Sequence, residues 1–340
     1  MKNKKRLFSV LVVFVLFLTS CGSEKAYRSS NFFSMDTLIE IRAYQYEKDV
    51  SYALASCKQI AESIEKKIST MLQESETYAF NHLSKQTFSK EFMEILSLSL
   101  SLSEYTNGYF DVSSGCLISL WEMCEKEQRL PAAEEIQAAL DALGYQKIQF
   151  EDSSVIKKHP SLSLNFGAVG KGFAADKMAE ALKENGVSCG MISFISSITV
   201  FGDKTFTIGI RCPNTSGELC GYLKMQNKSL SVSGDYERFY EIEGQRYSHI
   251  LNPKTGEPSD NDLHSVVVVA DSSAVADALS TAFSVMGIEK VAELYKKGEM
   301  AFEFLCITDT HVIVSDGLLD YFESATEDYI VVPLSEYVVV

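Results

Sequence analysis

A glycine-rich turn set between an apolar segment and a helix constrains this chain more than any other stretch. In Leu164-Asn-Phe-Gly-Ala-Val-Gly-Lys-Gly-Phe-Ala-Ala-Asp176, a short strand expected over 161–166 runs into Gly167-Ala-Val-Gly-Lys-Gly172, and then into a helix reaching about 184. Glycines let backbone come close to a ligand or a neighbouring element. The free N–H groups at a helix start attract anions, and Lys171 adds a positive charge. It is not a P-loop: the spacing differs, and Gly172 stands where Ser or Thr would hold magnesium. Alone, such a turn serves packing as readily as binding.

Hydrophobic periodicity supplies the frame. Thr37–Tyr44 reads as a strand, and apolar residues at spacings of three and four place helices over 49–68, about 89–106 and from Pro131 to Gly144. Strands are expected near 191–201, 204–211, 219–225, 228–233 and 236–243, with a buried-type strand at 263–270. Helices follow at about 272–285 and 288–297, then a hairpin of 300–307 with 310–315 across Thr308-Asp309. Runs of strands mixed with runs of helices favour an α+β fold over a repeating βαβ arrangement.

The first residues speak to location. Lys2, Lys4, Lys5 and Arg6 precede an apolar run, Leu7–Leu18, too short to span a membrane and right for a secretory signal. It ends in Leu18-Thr19-Ser20-Cys21, which resembles a bacterial lipobox. The expectation is a signal peptide over 1–20, lipidation of Cys21, a tether over 21–31 and one functional domain over 32–340. The chain would then sit on the outer face of a bacterial cell membrane. Eight cysteines include no CxxC pair, and lipidation of Cys21 leaves an odd seven, so buried free thiols are expected rather than zinc. A net charge of −15 over 340 residues argues against nucleic acid as a partner. It also means that an anionic ligand needs local help from a cation, a metal or a helix start.

Four further segments could carry chemistry. Ala274-Val-Ala-Asp-Ala-Leu-Ser-Thr281 puts Asp277 and Thr281 on one helix face among apolar neighbours. A buried carboxylate is costly unless paired or bound to a cation, and carboxylate plus hydroxyl suits a hard ion such as Mg²⁺. A helix cap or a buried hydrogen bond is the structural alternative. His249 is one of five histidines and stands before the turn-forming Asn252-Pro-Lys-Thr-Gly256. Ser231-Val-Ser-Gly-Asp-Tyr-Glu-Arg238 precedes it. Thr106-Asn-Gly-Tyr-Phe-Asp-Val-Ser-Ser114 leads turn residues into an aromatic-carboxylate stretch that could hold a planar ring.

In this order the segments resemble the ApbE-like family of flavin transferases (FAD:protein FMN transferases). The likeness rests on Met35 with Thr37, Gly108-Tyr-Phe-Asp111, Gly167-Ala168 with Lys171-Gly172, Ser233-Gly-Asp-Tyr236 with Arg238, His249-Ile250 with Asn252-Pro253 and Thr255-Gly256, and Ala276-Asp277-Ala278 with Thr281. It implies a two-part fold of mixed and antiparallel sheets with flanking helices and a ligand cleft between the parts. FAD would be bound by Met35, Tyr109, Phe110, Asp111, Lys171, His249 and Ile250. Mg²⁺ would be held by Asp277, Thr281 and the Ala168 carbonyl. The implied activity is transfer of FMN to a Thr or Ser of exported flavoprotein subunits of ion-pumping redox complexes. His249 is the first candidate base, with Asp111 and Asp235 as competitors. FAD hydrolysis and flavin binding without catalysis stand as alternatives. The chain departs from the family pattern at Asp36 and Gly170, and at Ile195-Ser196-Ser197, where a Gly-Gly segment is usual.

Overall fold

The computed structural model describes residues 27–337 apart from 47–48, 84–86, 152–153, 214, 216 and 235–238. The signal segment, Cys21 and most of the tether therefore lie outside the described residues, as do Asp235 and Arg238. No described helix is long and apolar enough to cross a membrane.

The chain opens with strands β1 (Arg28–Ser34) and β2 (Thr37–Tyr46), followed by helices α1 (Ser51–Ile68), α2 (Glu76–His82), α3 (Lys90–Tyr105), α4 (Gly115–Lys126) and α5 (Ala133–Ala142). A hairpin of β3 (Ile148–Glu151) and β4 (Ser154–Lys157) precedes α6 (Gly170–Glu184). Next come β5 (Val187–Ser193), β6 (Ser197–Phe201), β7 (Phe206–Arg211), β8 (Leu219–Met225), β9 (Ser229–Gly234), β10 (Phe239–Ile242), β11 (Gln245–Ser248) and β12 (Ser265–Ala270). The chain ends with α7 (Ser273–Lys297), β13 (Phe302–Ile307), β14 (His311–Val314), β15 (Phe322–Ser324) and β16 (Ile330–Pro333).

Nine strands make one sheet in the order β1-β2-β5-β6-β9-β12-β13-β14-β16. Its pairs are antiparallel except β14 with β16. The sequence Ser-Val-Val-Val-Val-Ala of β12 shows why the sheet is covered twice, because all six positions are buried. Val266, Val268 and Ala270 pack with α1, α6 and α7. Val267 and Val269 face the other way, into a core closed by the three-stranded sheet β15-β8-β7. A continuous apolar run is what a strand buried on both faces requires. A separate cluster of Leu117, Trp121, Ala139, Tyr240 and Ile242 joins α4 and α5 to the β10–β11 hairpin as a lobe beside the main body. This is the expected α+β architecture.

Several expectations are corrected. Residues 161–166 form no strand: Ser163 makes one isolated bridge to Ser114, because the glycine turn begins too soon to extend the pairing. The single strand expected over 191–201 is two, β5 and β6, reversed at Phe194–Ser196 with Ile195 in the left-handed region at φ 70°. The tether expected over 21–31 overlaps β1, which begins at Arg28. Its polar residues pair as an edge strand through backbone alone, a bond that composition does not reveal. Helices α2 and α4 were not anticipated. The two helices expected at 272–285 and 288–297 are both present: α7 is interrupted at Gly287, whose φ of 74° and ψ of 161° are not helical.

Helices α6 and α7 cross where Gly172 meets Ser273, and any Cβ at Gly172 would collide with the Ser273 carbonyl and stand 2.7 Å from the Ala274 Cα. Asp176, one turn on, binds the start of α7 by accepting from the Ser272 hydroxyl at 2.7 Å and from the Ser273 and Ala274 amides at 2.8 and 3.0 Å. The obstruction at Gly172 is buried backbone, which cannot swing away. Gly172→Ala is expected to destabilise the protein by about 1–3 kcal/mol, the usual cost of overpacking, read as a lowered midpoint of urea or thermal unfolding.

Candidate active site

The site begins with two segments laced together. The Asn165 amide donates to the Val112 carbonyl at 2.9 Å, and the Gly115 amide to the Ser163 carbonyl at 3.0 Å. Gly115 admits this approach, since a Cβ there would stand 2.8 Å from the Ser163 carbonyl oxygen. The Asn81 side chain holds Leu164 from the other side, accepting from its amide at 2.8 Å and donating to its carbonyl at 3.1 Å. The Thr106–Asp111 turn is thereby fixed against the glycine turn. Asn107 and Gly108 take φ values of 50° and 74°, and the Thr106 hydroxyl accepts from the Phe110 amide at 3.1 Å.

Asp111 is buried and fully engaged. One oxygen accepts from the Ser113 amide at 2.9 Å and hydroxyl at 2.6 Å, the other from the Tyr145 amide at 3.1 Å. Burial raises its pKa above the ordinary 3.8, against the opposing pull of these donors and of Lys254. The third wall is the Ile250–Ser259 loop. Its turn closes with the Gly256 amide donating to the Asn252 carbonyl at 2.8 Å, and the Trp121 indole donates to the Gly256 carbonyl at 2.9 Å. Trp121 also stacks on Tyr240 at 5.7 Å between centroids. The lobe thus carries His249 and Ile250 to the main body.

These walls enclose a cavity of about 420 Å³, lined by Tyr109, Phe110, Asp111, Ala168, His249, Ile250 and Thr281. Seven of the ten binding and metal residues expected from sequence therefore meet in one place. Larger depressions of about 820 and 840 Å³ elsewhere contain none of the ten. Met35 and Lys171 do not line the cavity. Met35 packs by Gly170 at the start of α6, the helix whose second residue is half-buried Lys171. The lining also includes Asn165, Glu122, Glu125 and Tyr240, which sequence reading missed. Glu122 and Glu125 lie on the unanticipated helix α4.

Asp277 lies one helical turn before Thr281, 5% exposed. One carboxylate oxygen accepts from the Gly172 amide at 3.1 Å, the other from the Ser231 and Ser197 hydroxyls at 2.9 and 3.3 Å. Ser233 reaches the hydroxyls of Ser280 at 2.9 Å and Thr281 at 3.2 Å. Sequence reading did not assign roles to Ser197, Ser231 and Ser233. A signal existed: Ser229, Ser231 and Ser233 alternate along one strand, so three hydroxyls must share one face. The hydrogen-bond partners of the Asp277 carboxyl among the described residues are all neutral donors. A carboxylate has about four acceptor positions, and three are used here. The Thr281 hydroxyl, one turn on, donates to the Asp277 backbone carbonyl at 3.4 Å. Among the described residues no three His, Cys, Asp or Glu side chains gather as a metal cluster. The three residues expected from sequence to hold Mg²⁺ offer a carboxyl, a hydroxyl and the Ala168 carbonyl, oxygen throughout, a chemistry suited to a hard cation rather than a softer metal.

A family model described as the ApbE family matches residues 35–305. The chain belongs to the ApbE family. Among curated proteins it is 27% identical to the FAD:protein FMN transferase of Haemophilus influenzae, over 95% of this chain and 99% of that protein. It is 29% identical to the FAD:protein FMN transferase of Escherichia coli K12, over 69% of this chain and 71% of that one. The crystal structure of the ApbE protein of Thermotoga maritima superposes with a TM-score of 0.77 at 25% identity, covering 88% of this chain and 97% of that one. The flavin transferase ApbE of Vibrio cholerae shares the fold, with a TM-score of 0.73 at 23% identity over 88% of this chain and 96% of that one.

The raised pKa of Asp111 has a stability consequence in this ApbE-family protein. Between 3.8 and the higher folded value, the folded state holds a proton that the unfolded state has released. The contribution of Asp111 is therefore fully present below 3.8 and is lost as pH rises through the folded pKa. Asp111→Asn lacks this titration. Urea unfolding of both proteins across pH 3 to 7 is expected to show the difference in stability moving in favour of the variant as pH rises.

Proposed function

We propose that this ApbE-family chain transfers the FMN moiety of FAD to a Thr or Ser hydroxyl of a target flavoprotein, forming a phosphoester and releasing AMP. As a member of its family the chain is a transferase. The observation that carries the finer reading is the convergence of an aromatic wall, a glycine turn, His249 and Thr281 on one cavity next to a buried carboxyl group.

Tyr109 and Phe110 bind the flavin ring against the wall of the cavity. Asp111, held by Ser113 and Tyr145, fixes the turn that presents them. The target hydroxyl oxygen attacks the phosphorus on the FMN side of the diphosphate. The bond to the AMP phosphate breaks, AMP leaves with the electron pair, and His249 takes the hydroxyl proton. Magnesium, held by Asp277, Thr281 and the Ala168 carbonyl, would polarise the phosphoryl oxygens and offset charge on the leaving AMP. Lys171 and the start of α6 add positive potential nearby. The basic and apolar leader ending in Cys21 supports a lipid-anchored enzyme on the outer face of a bacterial cell membrane. Its targets there are exported flavoprotein subunits of ion-pumping redox complexes.

The deciding measurement is mass spectrometry of an acceptor domain incubated with the protein, FAD and Mg²⁺. A gain of one FMN less water on a Thr or Ser is expected, abolished by EDTA. Asp277→Ala and the milder Thr281→Val should both lose transfer and gain nothing from excess Mg²⁺. Transfer that survives in both variants would sink the metal assignment. His249→Asn should keep FAD binding while kcat falls on the order of 100-fold or more, the range for a lost general base. AMP released without any acceptor would instead identify a hydrolase.

A further inference from the structure

Cys212 and Cys220 form a second chemical feature, on the opposite side of the central sheet from the cavity. The two buried sulfurs stand 2.8 Å apart. Of the seven described cysteines six are buried, these two among them.

The pairing is produced by a β-bulge. In β7, Phe206 and Ile210 face inward while Thr207, Gly209 and Arg211 are exposed, so Cys212 continues the inner face. In β8, Leu223 and Met225 face inward while Tyr222 and Lys224 are exposed, so simple alternation would turn Cys220 outward. The register shifts between Ile210, paired with Gly221, and Arg211, paired with Leu219. That leaves Cys220 as the extra residue of the bulge and turns its side chain to the inner face, a re-aiming that bulges perform. The Cys212 amide donates to the Glu218 carbonyl at 3.0 Å and the Ala325 amide to the Cys220 carbonyl at 3.0 Å, so backbone bonds hold both residues in place.

We propose that Cys212 and Cys220 are a redox-active dithiol that closes to an intramolecular disulfide. The thiolate of one cysteine attacks an external protein or small-molecule disulfide, releasing one external thiol and leaving a mixed disulfide. The second cysteine, losing its proton, attacks the mixed-disulfide sulfur of the first and releases the other external thiol. Two electrons pass to the external disulfide, which is reduced to two thiols, while the protein loses two hydrogens. Burial raises the Cys220 pKa, aided by the adjoining Cys212, so the folded dithiol reacts slowly and closes most readily before the hairpin packs. The bond would staple the β7–β8 hairpin that covers the back of β12 and β13. An exported chain meets the oxidising partner that the step requires. The proposal rests on the export part of the proposed function and not on flavin transfer.

The test uses the full soluble chain, equilibrated with oxidised and reduced glutathione, both natively and through a denature–refold step. The sample is quenched, denatured and alkylated without reductant, then mapped by mass spectrometry. The expected result is a linked Cys212–Cys220 peptide two hydrogens lighter that takes two alkyl groups only after reduction, while Cys57, Cys124 and Cys306 are alkylated directly. A bond formed only through refolding supports the proposal equally. Thermal unfolding of the oxidised protein should rise on the order of 5 °C over the reduced protein, a shift absent from Cys212→Ser and Cys220→Ser. Direct alkylation of both cysteines under both regimes, or a bond from either one to a third cysteine, would overturn it.

Discussion

The site depends on how closely α6 and α7 approach at Gly172. A helix pair usually stands apart by the thickness of its side chains, but here backbone meets backbone. That contact lets the Gly172 amide reach the Asp277 carboxylate of the neighbouring helix at 3.1 Å. Asp176 secures the same junction by binding the first amides of α7. The glycine turn thus serves packing and chemistry through one geometry. It sets how α7 lies against α6, and α7 carries Thr281 to the cavity wall with Asp277 one helical turn earlier. The choice between a packing role and a binding role for this turn dissolves, because the packing places the binding groups.

The electrostatics follow from that arrangement. The acidic side chains among the lining residues are Asp111, Glu122 and Glu125, in a chain of net charge −15. A diphosphate could not enter such a cavity unaided. Cationic help lies close by: Lys254 and Lys290 stand 5.6 and 5.9 Å from the centre of the Tyr109 ring. Lys254 belongs to the Asn-Pro-Lys-Thr-Gly turn, which sequence alone reads as a bend. Asp277 meets three neutral donors, the Gly172 amide and the Ser197 and Ser231 hydroxyls. Two serines and the Gly172 amide hold the carboxylate in place, as a preorganised polar group is held by its neighbours.

The fold was legible wherever one residue type had one reason to be present. The valines of β12 declare a strand covered on both faces, and Gly287 separates two helical patterns. The motif residues were legible as types, and seven of them converge. What escaped notice depends on contacts distant in sequence. The α4 helix was missed because Leu117 and Trp121 are buried with Tyr240, Ile242 and Leu251, residues more than a hundred positions later. β1 was missed because its bonds are made by backbone whose side chains are largely polar. Ser197 could not be read as a partner of Asp277, since β6 and α7 meet only in the folded sheet.

The departures from the family pattern are also clearer in three dimensions. Met35 and Asp36 form the two-residue link between β1 and β2, with φ values of 53° and 57°. Two left-handed residues in succession match the twist of a tight hairpin, and Asp tolerates that region better than most residues. Asp36 therefore preserves the turn that glycine would make. Ile195 is a harder case, since a β-branched residue at φ 70° is strained by about 1–3 kcal/mol. The turn is nevertheless held, by Phe194 donating to the Ser197 carbonyl at 2.8 Å and by Val232 donating to the Ser196 carbonyl at 2.8 Å. These bonds tie it to β9, the strand that also supplies Ser231 to Asp277. Relaxing Ile195 would disturb that strand, so the sheet enforces the glycine-like path although the glycine is gone. The turn thus displays an exposed isoleucine side chain where the family resemblance leads one to expect glycine.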